Sequence, residues 1–236
     1  MQASEKSLRA PVFNVPPVVT LMIALVIGSY IGVGILPRSL QLWVGEFGGV
    51  SPRLLFGGMQ EDGGVLLAVF PLISHIFLHA DLSHLLLNCV WLLAFGAPVA
   101  IRLGAQRALF DVSSLIFILF FILSGVFGAL VFAALNPSLD TQLIGASGGV
   151  SGLLGAVIRT IFVRQVDLAN VRQTFARLSD SRVITASIVI LATNLLVGLF
   201  GAVLTSSGND IAWEAHMGGY LFGLLAFPAF AAFTRQ

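Results

Sequence analysis

The sequence contains few charged residues for its length. Charged side chains make up 10% of the 236 residues, whereas water-soluble domains usually carry about 25%. Apolar residues amount to 57%, and the mean hydropathy is +0.98. A soluble chain of this composition would expose a mostly apolar surface, which water drives into aggregates. The composition therefore excludes a soluble globular protein and predicts one embedded in a lipid bilayer.

Cysteines and clusters of basic residues are also scarce. The single cysteine, Cys89, excludes an intrachain disulfide and a cysteine-rich metal site. The net charge of +1 and the lack of a basic tract argue against a nucleic-acid partner. On a continuous helix His84 would point about 180° away from His75, so these two and His79 do not suit one metal ion. We therefore predict that the protein needs no metal and no cofactor.

Six apolar stretches are long enough to cross a membrane. A transmembrane helix needs about 20 apolar residues, because every backbone polar group must be paired within the segment. No tandem repeat or low-complexity segment divides the chain, so we predict an all-α membrane protein with one six-helix domain, residues 16–233. The predicted spans are Pro16–Leu36, Leu82–Ile101, Val112–Leu135, Leu143–Val163, Val183–Leu204 and Trp213–Phe233.

The distribution of basic residues predicts the orientation of these spans. If the N-terminus is cytoplasmic, only Arg38 and Arg53 fall on the outer side, and cations are normally enriched inside. We therefore predict two short cytoplasmic tails, residues 1–15 and 234–236, and the compact core favours a bacterial inner membrane. The cations assigned to the cytoplasmic side are Lys6, Arg9, Arg102, Arg107, Arg159, Arg164, Arg172, Arg177, Arg182 and Arg235.

The longest outer connection joins the first and second spans, from Pro37 to about Asp81. It is rich in glycine and in apolar residues such as Leu54, Phe56 and Phe70. This composition is unlike that of a plain linker. We predict that the long outer loop folds back against the membrane interface as short helices.

Four polar residues lie where a bilayer disfavours them: His84, Asn88, Ser147 and His216. Polar groups inside a membrane are costly and usually functional. The second, fourth and sixth spans all run from outside to inside, and each of these residues lies in the first turn or two of its span. At 1.5 Å per residue, all four lie within about 10 Å of the starts of their helices. They therefore fit one shared site that opens towards the outer face.

Glycines indicate how the fourth and sixth spans pack. Gly148, Gly152 and Gly155 recur beside Ser147, and Gly219 and Gly223 share a face with His216. Small residues on facing stripes let two membrane helices approach closely. We expect this approach to bring Ser147 towards His216.

The polar residues suit the hydrolysis of a peptide bond. The Ser147 hydroxyl is a weak nucleophile until a base takes its proton, and His216 is the candidate base in the sixth span. No mid-membrane carboxylate is available to orient His216, so the residues predict a dyad. The Ser147 N–H and the side chains of His84 and Asn88 would stabilise the oxyanion, each donor contributing about 3 kcal/mol.

Three motifs resemble those of the rhomboid family of intramembrane serine proteases. Residues 145–148 (GASG) look like its G-x-S-G nucleophile motif, with Gly155 at a later family glycine. Residues 215–223 look like its A-H-x-x-G-x-x-x-G motif, and residues 79–88 like its H-x-x-x-x-H-x-x-x-N motif. The resemblance implies a six-helix rhomboid-like bundle and a serine endopeptidase acting on single- or multi-span membrane proteins. It also implies catalytic roles for Ser147 and His216, oxyanion roles for His84 and Asn88, and supporting roles for His79, Gly145, Gly148, Gly219 and Gly223.

The sequence departs from the family pattern at two places. Ser151 stands where many members have an aromatic residue under the catalytic histidine, and the first outer loop has no Trp-Arg pair. Neither departure removes a catalytic group.

Some alternatives stay open. An inactive relative would bind transmembrane segments without cleaving them, although such relatives usually lack the serine or the histidine. A transporter would use the intramembrane histidines, although no ionisable chain continues to the other face. His84 and Asn88 also fit a structural hydrogen-bonded pair. Asn194, in the fifth span, fits either helix packing or a substrate gate, for which the fifth span and the Thr205–Ile211 loop are candidates.

Overall fold

The computed structural model describes residues 15–57, 69–163, 174–204 and 212–234, and this part of the chain is helical apart from turns and one isolated β-bridge. The prediction of an all-α protein is therefore confirmed. A 3-10 turn at His75–Phe77 precedes the fifth helix. The helices are α1 (Pro17–Gly34), α2 (Arg38–Gly48), α3 (Pro52–Gly57), α4 (Pro71–Ser74), α5 (Leu82–Leu103), α6 (Val112–Leu135), α7 (Ser147–Ile161), α8 (Ser181–Leu204) and α9 (Trp213–Ala232).

Among the described residues, five helices are long and apolar enough to cross a membrane: α1, α5, α6, α8 and α9. α7 is also apolar, but it has 15 residues. At 1.5 Å per residue it is about 22 Å long, which is less than the hydrocarbon thickness of about 30 Å. The sixth predicted span therefore stays a prediction.

Aspartates fix the starts of two of the long helices. Asp81 Oδ1 accepts a hydrogen bond from the His84 N–H at 2.8 Å, and Asp111 Oδ1 accepts one from the Ser114 N–H at 2.7 Å. These bonds satisfy N–H groups that have no partner inside the helix. Asp81 is therefore the N-cap of α5. The start of α5 places His84 in its first turn.

α7 lies at the centre of the bundle. It packs against α9, α6 and α5, while α1 packs mainly against α5. Fully buried aromatic side chains, among them Phe117, Phe120 and Phe121 of α6, fill the core. α8 differs, because 6% of its most apolar 18 residues are buried, against 44% for α6 and α9. Most of its apolar side chains therefore face away from the bundle, as expected of a helix in contact with lipid.

The fourth predicted span begins later than expected. We predicted a start near Leu143, whereas α7 begins at Ser147. Leu143 instead pairs with Val50 in an antiparallel bridge, with N–H to carbonyl distances of 2.9 and 3.0 Å. Gly145 has a φ of 123°, which no helical residue adopts. Backbone pairing with a distant segment therefore prevents the helix from starting earlier.

Short helices occupy the described part of the connection between the first and second predicted spans, namely α2, α3 and α4. The Ser74 hydroxyl donates to the Gly48 carbonyl at 2.8 Å and ties α4 to the end of α2. Residues 58–68 lie outside the described residues, and so do both chain ends, the candidate gate loop at 205–211, and five of the cations used to orient the spans. Those five are Lys6, Arg9, Arg164, Arg172 and Arg235.

Candidate active site

Ser147 is the first residue of α7. The N–H groups of the first helical turn have no partner within the helix, and the positive end of the helix dipole lies there. The loop before it is fastened from outside the helix: Gly145 N–H donates to the His75 carbonyl at 2.8 Å, and Ala146 N–H to His79 Nε2 at 3.5 Å. These contacts hold the hydroxyl of Ser147 at a helix end that favours negative charge.

Gly145 brings the His84 ring next to this loop. A Cβ at Gly145 would lie 2.7 Å from His84 Nε2 and 3.8 Å from Ser147 Oγ. The positive φ and the close imidazole both exclude a larger residue at Gly145. α5 and α7 therefore bring His84 and Ser147 together, and the predicted proximity of these two residues is present.

Asn88 lies one turn after His84 on α5 and is 5% exposed. Its Nδ2 donates to the His84 carbonyl at 2.9 Å. A side-chain amide has two N–H donors, so this bond uses one of them. The second donor has no partner among the described residues.

His79 and His75 precede α5 and lie beside His84 and the loop before α7. The His79 ring meets the His84 ring edge-on, with centroids 4.9 Å apart. Burial, and then the neighbouring His84, lower the pKa of His79 to about 4. Burial likewise lowers the pKa of His75 to about 4, although its ring is hydrogen-bonded to the Pro71 carbonyl at 2.9 Å. Both rings are therefore neutral near pH 7, which leaves His79 Nε2 able to accept from Ala146.

The burial of neutral His75 and His79 predicts that the folded protein loses stability in acid. The unfolded state protonates His75 near pH 6.5, whereas the folded state resists protonation down to about pH 4, so lowering the pH through this window favours unfolding. For His75 the full effect is about 3 kcal/mol. We expect the melting temperature in detergent to fall between pH 6.5 and 4. His75→Gln should flatten that fall, and identical curves for both proteins would contradict the assignment.

α7 and α9 are in direct backbone contact. A Cβ at Gly219 would lie 2.0 Å from the Gly148 carbonyl oxygen, and one at Gly223 would lie 1.9 Å from that of Gly152. At Gly155 the distance to the Tyr220 carbonyl oxygen would be 2.3 Å. The glycine spacing predicted this packing. The contact between α7 and α9 leaves no room for even one methyl group on these glycines.

His216 lies in the first turn of α9, beside the start of α7. A Cβ at Gly148 would lie 3.7 Å from the carbonyl oxygen of Ala215, so the chain neighbours of Ser147 and His216 are in contact. Ser147 and His216 share no hydrogen bond in the described part of the chain. Ser151, four residues after Ser147, is half-buried.

The partner of the His216 ring comes from α8. His216 Nδ1 lies 3.0 Å from Asn194 Oδ1, and Asn194 Nδ2 donates to the Ile190 carbonyl at 3.0 Å. Glu214, the nearest carboxylate in the sequence, instead accepts a hydrogen bond from Asn136 at 3.1 Å. Asn194 was predicted to serve helix packing or a substrate gate, and its contact with His216 was not predicted. The only signal for this residue in the sequence was an amide in an apolar span.

The fold and this group of polar residues define a class of protein. Long apolar helices with lipid-facing side chains surround a small polar centre near one end of the bundle. This is the organisation of a multi-pass membrane protein in contact with the bilayer.

Comparison with known proteins gives the family. The rhomboid domain model matches residues 67–233, so the chain belongs to the rhomboid family. It is 29% identical over 152 residues to RHOMBOID-like protein 5 of Arabidopsis thaliana, covering 64% of this chain and 41% of that protein. It is 31% identical over 154 residues to RHOMBOID-like protein 4 of the same plant, covering 65% and 32%. The chain thus spans less than half the length of these relatives.

Proposed function

We propose that the protein is an intramembrane serine endopeptidase, with Ser147 as nucleophile and His216 as general base. The backbone contact between α7 and α9 carries this proposal, because it joins the starts of the two helices that bear these residues. Membership of the rhomboid family, whose members are generally intramembrane serine proteases, supports it. The substrates are single- or multi-span membrane proteins, cleaved within transmembrane segments.

The reaction follows from the chemistry of these groups. His216 takes the proton of the Ser147 hydroxyl while Oγ attacks the carbonyl carbon of the scissile peptide bond. The resulting imidazolium returns the proton to the leaving amine, and the acyl-enzyme remains. Water, activated by the same imidazole, then attacks the ester and releases the acid and the free serine. The centre requires no metal or cofactor.

Stabilisation of the oxyanion falls to the N-terminus of α7 and to α5. The Ser147 N–H, the His84 ring beside it, and the second N–H of Asn88, one turn after His84, would donate to the developing charge. His79 and Gly145 support this arrangement by holding the loop before α7 against His84. Gly148, Gly219 and Gly223 support it by permitting the close approach of α7 and α9.

The placement in the membrane completes the proposal. α7 is the sixth span, although it is short, and it lies inside the bundle, where the other helices cover most of it. Residues 16–233 form the membrane domain, and residues 1–15 and 234–236 lie on the cytoplasmic side of an inner membrane. The polar centre then opens towards the outer face, where water reaches it.

A covalent serine probe tests the function without knowledge of the substrate. We expect a fluorophosphonate to label the detergent-purified protein at Ser147, because the probe requires a hydroxyl activated by a base. His216→Ala should lower the labelling rate at least about tenfold. Ser151→Ala, which removes another half-buried hydroxyl from the same helix, serves as the matched control and should label normally.

The same assay separates the proposal from an inactive relative that only binds transmembrane segments. Such a protein would lack an activated serine. Labelling that is absent, or that mass spectrometry assigns to another residue, would therefore overturn the proteolytic function.

A further inference from the structure

The contact between Asn194 and His216 determines which ring nitrogen carries the proton. The Ile190 carbonyl can only accept a hydrogen bond, so the amide group facing it must be Nδ2. Asn194 Oδ1 therefore faces the ring, 3.0 Å from Nδ1. Because a carbonyl oxygen can only accept, Nδ1 of His216 must be the protonated nitrogen.

This tautomer is the one a general base needs. A neutral imidazole with hydrogen on Nδ1 has its lone pair on Nε2, and only that nitrogen can then take a proton. Without an acceptor at Nδ1, the ring would be free to exchange tautomers and to rotate. In serine and cysteine proteases with three-residue centres, a third side chain prevents this.

No carboxylate takes this part among the described contacts of His216. Glu214 is hydrogen-bonded to Asn136 instead. The ionisable group that does interact with the His216 ring is another histidine, His84. Asn194 is half-buried on a helix that is otherwise mostly exposed. The Asn194 side chain does not need a partner on another helix, because its Nδ2 already donates to the Ile190 carbonyl of α8.

We propose that Asn194 is a positioning residue for His216. It accepts a hydrogen bond from Nδ1–H, keeps the ring in the Nδ1-protonated tautomer and so leaves Nε2 free to act as the base for Ser147. This inference rests on the proposed function. It extends the predicted dyad to a serine–histidine–asparagine arrangement that draws on α7, α9 and α8.

A second hydrogen bond provides a matched control. Ser187 Oγ and Tyr220 OH, 2.7 Å apart, also join α8 to α9, but neither is hydrogen-bonded to His216 among the described residues. Ser187→Ala therefore removes a tie between the same two helices and leaves the ring alone. If Asn194 merely held α8 in place, both substitutions would have similar effects.

The kinetic test uses the full chain and a single-span substrate in detergent. Asn194→Leu keeps the branched shape of the side chain, suits a lipid-exposed helix and removes the acceptor. We expect it to lower kcat about 10- to 100-fold and to change KM less than about threefold. Asn194→Asp keeps the acceptor and should recover kcat to within about fivefold of wild type, while Ser187→Ala should stay within about threefold. Equal losses for Asn194→Leu and Ser187→Ala would overturn the proposal.

A spectroscopic readout tests the inference even if the protein does not cleave. The chain has four histidines, so ¹⁵N labelling of histidine with His216→Ala as reference assigns the ring signals. We expect the Nδ1-protonated tautomer in wild type and a mixture in Asn194→Leu. An Nε2-protonated ring, or a spectrum that Asn194→Leu leaves unchanged, would refute the proposal. Cleavage by Ser147→Ala would instead refute the proposed function, and the ring signals would still decide on Asn194.

Discussion

Ser147→Ala is expected to lower the cleavage rate of a single-span membrane protein at least about 1,000-fold, and His216→Ala by a similar factor. The first substitution removes the atom that attacks the carbonyl, and the second removes the base that activates it. Because the two groups act in one step, the double variant should be no slower than the slower single variant. Initial rates with purified protein and substrate in detergent or liposomes measure this.

Stability measurements separate loss of chemistry from loss of fold. Ser147 and His216 are only half-buried, and the single side-chain hydrogen bond at stake in the described structure, from His216 to Asn194, contributes about 1 kcal/mol, so both variants should melt close to wild type. Ser151→Ala should retain activity, since it deletes a hydroxyl one helical turn further along α7. Cleavage that survives Ser147→Ala would exclude the proposed nucleophile.

Gly223→Val is expected to destabilise the protein by about 3 kcal/mol or more, or to prevent folding. Even a methyl group at Gly223 would lie 1.9 Å from the Gly152 carbonyl oxygen, and a backbone atom cannot move aside as the end of a side chain can. α7 and α9 would have to separate, which would also withdraw His216 from Ser147. Unfolding in detergent, followed by circular dichroism, together with the cleavage rate, measures both effects.

A glycine elsewhere in the membrane domain provides the control. A Cβ at Gly28 of α1 would meet nothing within 4 Å, so Gly28→Ala should leave stability and activity close to wild type. Gly223→Ala is the finer test, since it adds a single methyl group. Wild-type stability in Gly223→Ala would show that α7 and α9 do not make the close contact described here.

Helix positions were largely predictable because apolar runs and caps are local properties. α5 begins at Leu82 after the cap at Asp81, and α9 begins at Trp213, both as expected. The predicted start of α7 was wrong, because the start depends on the pairing of Leu143 with Val50, which is distant in sequence. No local pattern reports such a pairing. The short helices of the outer connection were expected, but not their boundaries.

The polar centre was predictable to the extent that its members are unusual in a membrane. His84, Ser147 and His216 stand out because a bilayer disfavours them and because glycines accompany two of them. Asn194 stands out less, since a single amide in an apolar helix can bond to its own backbone, and this one does. Its contact with His216 depends on the rotation of α8 against α9. That rotation is a tertiary property without a repeat in the sequence.

The glycine contact between α7 and α9 also determines how freely each part of the protein can vary in evolution. Where carbonyl oxygens occupy the space of a first side-chain carbon, as at Gly155, Gly219 and Gly223, no replacement is acceptable, however conservative. The outward positions of α8, such as Ile188 and Leu199, meet lipid and accept many apolar side chains. Related sequences should therefore differ most at the outward positions of α8. They should differ least along the line where α7 and α9 meet.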